Sequence, residues 1–419
     1  MEADMTTATP SPADRSLDWL VSVDDHVVEP PGVWVDRVPA RYRDAAPHVE
    51  RDERGEVWVY EGIRGMTGSA INATVHRDRS LISLDGLSYA EMAPGCYDPV
   101  ARLADMDEGG ILASLNFPSA PRFCGQLFLE GRDKELGLMC LQAWNDWMVD
   151  EWCATAPGRF IPLTLIPLWD PVAAAAEIER CAAKGVTTFS FPENPAPLGL
   201  PDLFDPDRYW DPVLAAANDT EMVVSMHIGS SSVMPKISPG APFVANMTYG
   251  ASRTAGTMLA WLFSGHFTRY PKLKISLAEG NIGWIPYFLE RAQYVWERQR
   301  YWVERGQVFE TQSADGLPHG AMPEGFDYQG FDIRQLYLDH VYGCFLDDRA
   351  GLKLLDEVGE DNVMVEVDYP HSDTTWPHSM KLMGERLAGL TEDQQFKILR
   401  GNAQRLFRFT PADPPAGPR

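Results

Sequence analysis

Two histidines and a set of carboxylates stand where buried apolar runs end. The stretch VSVDDHVVEP, residues 21–30, places Asp24, Asp25, His26 and Glu29 directly after such a run. Other runs end in the same manner: VTTFSFPE in Glu193, MVVSMH in His227, LKISLAE in Glu279 and VMVEVD in Asp368. Taking carboxylates and imidazoles out of water is costly unless each is paired or bound to a cation. A divalent metal satisfies a set of this composition, because neutral imidazole nitrogens and carboxylate oxygens both ligate Zn, Fe and Mn. The same set supplies chemistry: a bound cation lowers the pKa of a water towards neutrality, and a neighbouring carboxylate can take up the proton.

Residues so far apart in sequence share a site only if the fold brings strand ends together. The chain alternates amphipathic helical segments with short apolar strands, with clear strands near residues 20, 113, 164, 189, 224, 276 and 365. An eighth is expected between about 305 and 348, near LYLDHVYGCF. This order, with no Gly-rich phosphate loop after the first strand, predicts an α/β fold of the (β/α)8 TIM-barrel type rather than a doubly wound sheet. In such a barrel the C-terminal strand ends share one face, so Asp24, His26, Glu193, His227, Glu279 and Asp368 converge. A long insertion at about 28–96 follows the first strand, with RDERGEVWVYEG patterned as a hairpin. The barrel domain is placed at 17–408 with a C-terminal helical extension, between a disordered tail at 1–16 and a flexible tail at 409–419.

Other residues carry weaker signals. Asp25 falls on the other face of its strand, and Glu29, before Pro30 and Pro31, suits a loop cap or ion pair. His371, in DYPHSD, lies close enough to Asp368 to assist it. Asn116 ends ILASLN, and Arg122 follows in PSAPRFCGQ, where a guanidinium suits a substrate carboxylate. Trp376 is placed to wall the same pocket. The remaining histidines have no matching partners in the pattern.

Composition narrows the class. With a formal charge of -24 and no compensating basic run, the chain repels a phosphate backbone, which excludes nucleic acid as a partner. No apolar run reaches membrane-spanning length, and the first residues lack a signal peptide's basic start and apolar middle, so a cytoplasmic protein is expected. The 6 cysteines are scattered without a Cys-x-x-Cys pair, as suits reduced, buried thiols.

The strand-end Asp-x-His, the MHIGSS histidine, the segment AEGNIGWIPYFLER, the VDYPHSDTTWP segment and the terminal RGNAQRLF together resemble the amidohydrolase-related family of metal-dependent TIM-barrel hydrolases and decarboxylases. The resemblance runs from about residue 20 to 408. It implies that Asp24, His26, His227 and Asp368 bind a divalent metal. Asp24 stands where many relatives have His or Glu, and Glu279 where the decarboxylases often have a catalytic His. Glu193 occupies the position where dinuclear members bridge two metals, so the resemblance leaves one or two ions (Zn, Fe or Mn) open.

The proton inventory then sets the expected reaction. With a carboxylate replacing the sixth-strand imidazole, acid–base work falls to Asp368 and Glu279, with His371 as helper. Metal-assisted hydrolysis of a small carboxylate, ester or amide is the leading expectation. Decarboxylation of a small aromatic acid follows. A dinuclear-iron oxygenase-like member and a non-catalytic partner subunit are the further alternatives. A homodimer, or a hetero-oligomer with a related chain, is the expected assembly.

Overall fold

The structure is a computed structural model that describes residues 16–52, 55–65, 71–82, 86–250, 252–305, 322, 326–327 and 329–415. Twelve strands occur among these: β1 (Leu20–Val27), β2 (His48–Asp52), β3 (Gly55–Tyr60), β4 (Ile63–Arg64), β5 (Ile111–Pro118), β6 (Phe160–Ile161), β7 (Leu163–Thr164), β8 (Thr188–Ser190), β9 (Val223–His227), β10 (Ile275–Ala278), β11 (Val341–Phe345) and β12 (Val363–Val365). The principal helices are α1 (Pro99–Gly109), α2 (Lys134–Trp147), α3 (Pro171–Ala183), α4 (Asp211–Thr220), α5 (Ser252–Phe263), α6 (Ile285–Val303), α7 (Ile333–His340) and α8 (Ser379–Leu387). Their starts follow from local chemistry. Asp98 and Asp170 cap α1 and α3 by accepting hydrogen bonds from the backbone N–H groups of the second and third residues beyond them, and a proline follows each cap.

Two parallel sheets carry the architecture, in the orders β1-β5-β6 and β12-β11-β10-β9-β8-β7. They meet at Pro162, which lacks the N–H a continuous ladder needs and separates β6 from β7. At the other side, backbone hydrogen bonds join β1 to the chain beyond β12: Asp368 N–H donates to Asp24 O at 2.8 Å and His26 N–H to Tyr369 O at 2.6 Å. Helices α2 to α7 lie between successive strands, the arrangement expected of a (β/α)8 barrel. All the sequence-expected strands are present. The eighth is VYGCF, while the preceding IRQLYLDH is helical.

Apolar packing divides in two. One cluster, including Val21, Val23, Leu115, Phe117, Ile161, Leu163, Val223, Cys344 and Met364, gathers residues from across both sheets and is met by Ala403, Leu406 and Phe407 of the C-terminal segment. A larger cluster fills the layer between strands and helices. The register of β1 against β5 shifts between Ser22 and Asp25. Such a bulge re-aims the side chains beyond it, so Asp24 and His26 join the side already occupied by Val21 and Val23.

The insertion contains the expected hairpin, with His48 opposite Val59 and Asp52 opposite Gly55. The expected N-terminal tail lies almost wholly outside the described residues. Of the C-terminal tail, Phe409 packs against the inner cluster and Ala412 N–H donates to Gly158 O at 2.9 Å.

Candidate metal centre

The ends of β1, β9, β10 and the segment after β12 bring five of the six expected ligands together. Ligand atoms of Asp24, His26 and His227 lie within 4.8 Å of one another, as do those of Glu279, Asp368 and His371. The two groups touch. His26 Nε2 is 3.1 Å from Asp368 Oδ1, and His227 Nε2 is 3.7 Å from Glu279 Oε2.

Hydrogen bonding sets the direction of the second imidazole. His227 Nδ1 lies 2.6 Å from Ile228 O, a contact that places the proton on Nδ1 and leaves the Nε2 lone pair facing the centre. There Nε2 meets Asp24 Oδ2 at 3.3 Å. Phe123 stacks on the same ring at a centroid distance of 4.1 Å and also meets the edge of His26.

Backbone geometry sets the carboxylates. Glu279 and Asp368 both adopt left-handed conformations, at φ 58° and 59°. Each such residue costs on the order of 1–3 kcal/mol and persists only where its surroundings hold it. Glu279 N–H is held by Glu366 Oε2 at 2.9 Å, and Asp368 N–H by Asp24 O at 2.8 Å.

Several buried polar atoms here have no hydrogen-bond partner of acceptable alignment: both oxygens of Asp24 and of Asp368, both ring nitrogens of His26, and His227 Nε2. Orphaned buried groups are rare, and so many around one point call for a cation. Burial, then the neighbouring Glu366, Asp368, Glu279 and Asp25 carboxylates, drives the Asp24 pKa well up. Glu279 is raised for the same reasons, burial first and Asp368 next. His227 and His26 are lowered by burial, and therefore neutral and fit to ligate. Burial opposes ionisation of Asp368, but His371 and His26 outweigh it and hold that carboxyl below its usual range. His371, whose Nδ1 is 3.2 Å from Asp368 Oδ2, is in turn raised to about 9 by Asp368, against the effect of its own burial. The residues present fit a divalent cation, which Asp24, His26, His227 and Asp368 could hold, with Glu279 at the edge.

Other expected residues sit elsewhere. Glu193 is buried but turned to Arg253, whose Nε lies 3.2 Å from Oε2, and it accepts from Gly229 N–H at 3.0 Å. It joins neither group of ligand atoms. Asn116 is buried, accepting from Trp152 Nε1 at 2.9 Å and donating to Ser114 Oγ at 2.9 Å. Arg122 pairs with Glu130 near the surface. Trp376 donates to Asp105 O at 2.7 Å and packs against His76 and Tyr369.

Asp25, which the sequence reading set on the other face of its strand, and two residues it passed over, Arg102 and Glu366, support the site. Asp25 is hydrogen-bonded by Ser114 and by Tyr369 N–H, tying β1 to its neighbours on both sides. Arg102, wholly buried, donates to His26 O at 2.7 Å and to Gly95 O at 2.6 Å. Glu366 accepts from Glu279 N–H and from Cys344 Sγ at 2.6 Å. Its position two before Asp368 in VMVEVD was the available signal, since alternate strand residues share a face. Glu29, by contrast, is fully engaged in structure, accepting from Ser119 N–H, Ala120 N–H and Trp144 Nε1.

Comparison with known proteins agrees with the fold. The chain is 26% identical over 341 residues to gamma-resorcylate decarboxylase from Rhodococcus jostii (strain RHA1), covering 76% of this chain and 93% of that protein. Among solved structures it is similar to an amidohydrolase from Mycobacterium avium subsp. paratuberculosis K-10, with a TM-score of 0.69, 19% identity, and coverage of 93% of this chain and 97% of the other. It is also similar to 5-carboxyvanillate decarboxylase from Novosphingobium aromaticivorans DSM 12444, complexed with manganese and 4-hydroxy-3-methoxy-5-nitrobenzoic acid. That match has a TM-score of 0.62, 17% identity, and coverage of 97% of this chain and 100% of the other. Both likenesses carry the TIM-barrel fold. The model of the family described as Amidohydrolase matches residues 33–409, and the chain belongs to that family.

Proposed function

We propose that the protein is a metal-dependent decarboxylase of a small hydroxylated aromatic acid. The observation that carries this reading is the pairing of His371 with Asp368 beside Glu279, at the edge of the ligand cluster. Decarboxylation needs an acid placed to protonate the carbon that loses CO2. The sequence expectation put hydrolysis first because the sixth-strand imidazole is replaced by Glu279. His371, expected only as a helper, offers that imidazole from the loop after β12 instead, paired with Asp368. Support also comes from the relative named above, a decarboxylase matched over most of both chains.

Asp24, His26, His227 and Asp368 would hold the ion. When bound, it supplies positive charge that fixes the substrate's carboxylate and adjacent oxygen and stabilises developing negative charge. Manganese is the first choice to test, since a similar structure contains it. The protein's own groups do the rest. The carbon–carbon bond to the carboxylate breaks, and its electron pair remains on the ring carbon. The Asp368–His371 pair delivers the proton that replaces CO2. Phe123, stacked on His227, excludes water from one side. In this reading a single ion suffices, since Glu193 is occupied by Arg253.

The test is an assay of manganese-loaded protein against hydroxybenzoic acids, esters and amides, reading CO2 release and incorporation of deuterium from D2O at the vacated carbon. Release with one deuterium per turnover is the expected result. Ester or amide hydrolysis without CO2 from any acid would overturn it.

A further inference from the structure

Residues 71–76 of the insertion after β1 lie along the loop that carries His371, and backbone hydrogen bonds bracket that residue on both sides. Pro370 O accepts from Thr74 N–H at 3.0 Å and from Val75 N–H at 3.3 Å, while Ser372 N–H donates to Ile71 O at 2.9 Å. The barrel fixes the loop elsewhere. Tyr369 at its start is tied to Asp25 and His26 of β1, and Thr375 N–H near its end donates to Val367 O at 3.2 Å. Between these anchors, the hydrogen bonds that leave the loop from Pro370 and Ser372 go to the insertion.

Side chains pin this strap at both ends. Asn72 Nδ2 donates to Ser119 Oγ at 3.2 Å, in the loop after β5, and Ser119 N–H is itself held by Glu29. At the other end the His76 ring meets Trp376 at a centroid distance of 4.5 Å, and its Nε2 lies 3.5 Å from Asp105 Oδ1 on α1. Ala73, Thr74 and Val75 are buried between the two pins. His76 adopts a left-handed conformation at φ 65°, which costs on the order of 1–3 kcal/mol and persists only where the surroundings hold it. Its side chain is 45% accessible, so burial does not account for that conformation, whereas the contacts with Trp376 and Asp105 do.

We infer that residues 71–76 position His371 for proton delivery, with Asn72 and His76 as the residues that fix the strap. The inference rests on the decarboxylase reading given above. A proton donor must stay within hydrogen-bond reach of the atom it protonates, and a misplacement of about 1 Å can cost roughly 100-fold in rate. The place of the imidazole depends on the backbone beneath it, and the strap holds that backbone at the residues before and after. Asn72 and His76 act through Pro370 and Ser372, without contact to the reacting atoms. The insertion is then part of the catalytic apparatus, as the support of its acid.

The test compares Asn72→Ala, His76→Ala and their double variant with the wild type, all as the full chain, and the single variants carry the comparison if the double is unstable. Hydrogen–deuterium exchange is expected to run roughly threefold or more faster in peptides covering 369–376, with peptides from β9 and β10 unchanged, since local opening leaves the rest of the fold protected. In manganese-loaded protein, kcat is expected to fall about tenfold or more, while KM and bound manganese stay within about twofold. His76→Phe keeps a ring against Trp376 and is expected to recover part of the loss. Faster local exchange with unchanged kcat overturns the inference. So does unchanged exchange, or a fall in kcat that tracks loss of metal. A wild type that releases no CO2 from any acid, while the exchange result holds, removes the decarboxylase reading and leaves the strap's hold on the His371 loop supported.

Discussion

His227 Nε2 faces Asp24 Oδ2 across 3.3 Å, and neither atom has an aligned hydrogen-bond partner. One comes from β9 and the other from β1, and a cation between them would satisfy both. Asp24→Ala or His227→Ala is expected to lower metal affinity on the order of 100-fold or more, since even groups that only orient ligands typically contribute 10–100-fold. Elemental analysis after dialysis against a weak chelator reads the loss.

Metal removal should also lower stability. A ligand that binds only the native state at 100 times its dissociation constant adds about 2.7 kcal/mol. Thermal unfolding with and without a strong chelator is expected to show this difference in the wild type and little of it in Asp24→Ala. Equal melting temperatures for wild-type protein in the two conditions would count against a metal centre.

His371 pairs with Asp368 and clusters with Asp368 and Glu279, not with the Asp24, His26 and His227 group. His371→Gln is therefore expected to leave metal content near that of the wild type while slowing turnover by roughly 10²–10⁴-fold, the usual contribution of a placed acid. Comparing bound metal with kcat separates this from loss of a ligand.

Glu366 holds the strained Glu279 backbone in place. Glu366→Leu orphans the Glu279 N–H and is expected to cost about 1–3 kcal/mol. Glu366→Gln keeps an acceptor oxygen and should recover much of it. Urea denaturation of both variants makes the comparison.

Far from the centre, His266 is buried with Nε2 2.9 Å from Leu203 O and Nδ1 2.7 Å from an Arg269 nitrogen. Burial, reinforced by Arg269, lowers its pKa from 6.5 to about 4. The unfolded chain therefore binds this proton first as pH falls. The stabilising effect of the neutral ring is complete above pH 6.5 and is lost between 6.5 and about 4, in total about 3 kcal/mol. His266→Gln should show a correspondingly smaller drop in unfolding free energy between pH 7 and pH 4.5 than the wild type.

How much of this was legible in the sequence depended on whether the signal was local. Apolar runs bounded by caps such as Asp98-Pro99 and Asp170-Pro171 made the strand and helix order readable. Strand-end position was enough to gather Asp24, His26, His227, Glu279 and Asp368. Strict alternation from Val21 and Val23 would have sent Asp25 inwards, and only the register shift after Ser22 explains why Asp24 and His26 face that way. Glu193 has the right type at the right strand end, yet Arg253, 60 residues further along the chain, engages it. Nothing near Glu193 announces that pairing. Arg122, likewise, meets Glu130, a partner set by the local turn and the short helix after it.

The hydrogen bond from Tyr369 N–H to Asp25 spans 344 residues, and beside it Asp368 closes onto Asp24. During synthesis at about 5–20 residues per second, the β1 residues leave the ribosome long before the segment that completes their site. Asp24 and His26 must therefore wait, charged or neutral but unliganded, until nearly the whole chain has emerged. An ion taken up by the proposed site would then bind as a closing event of folding, a clasp between the earliest and latest parts of the chain to be made.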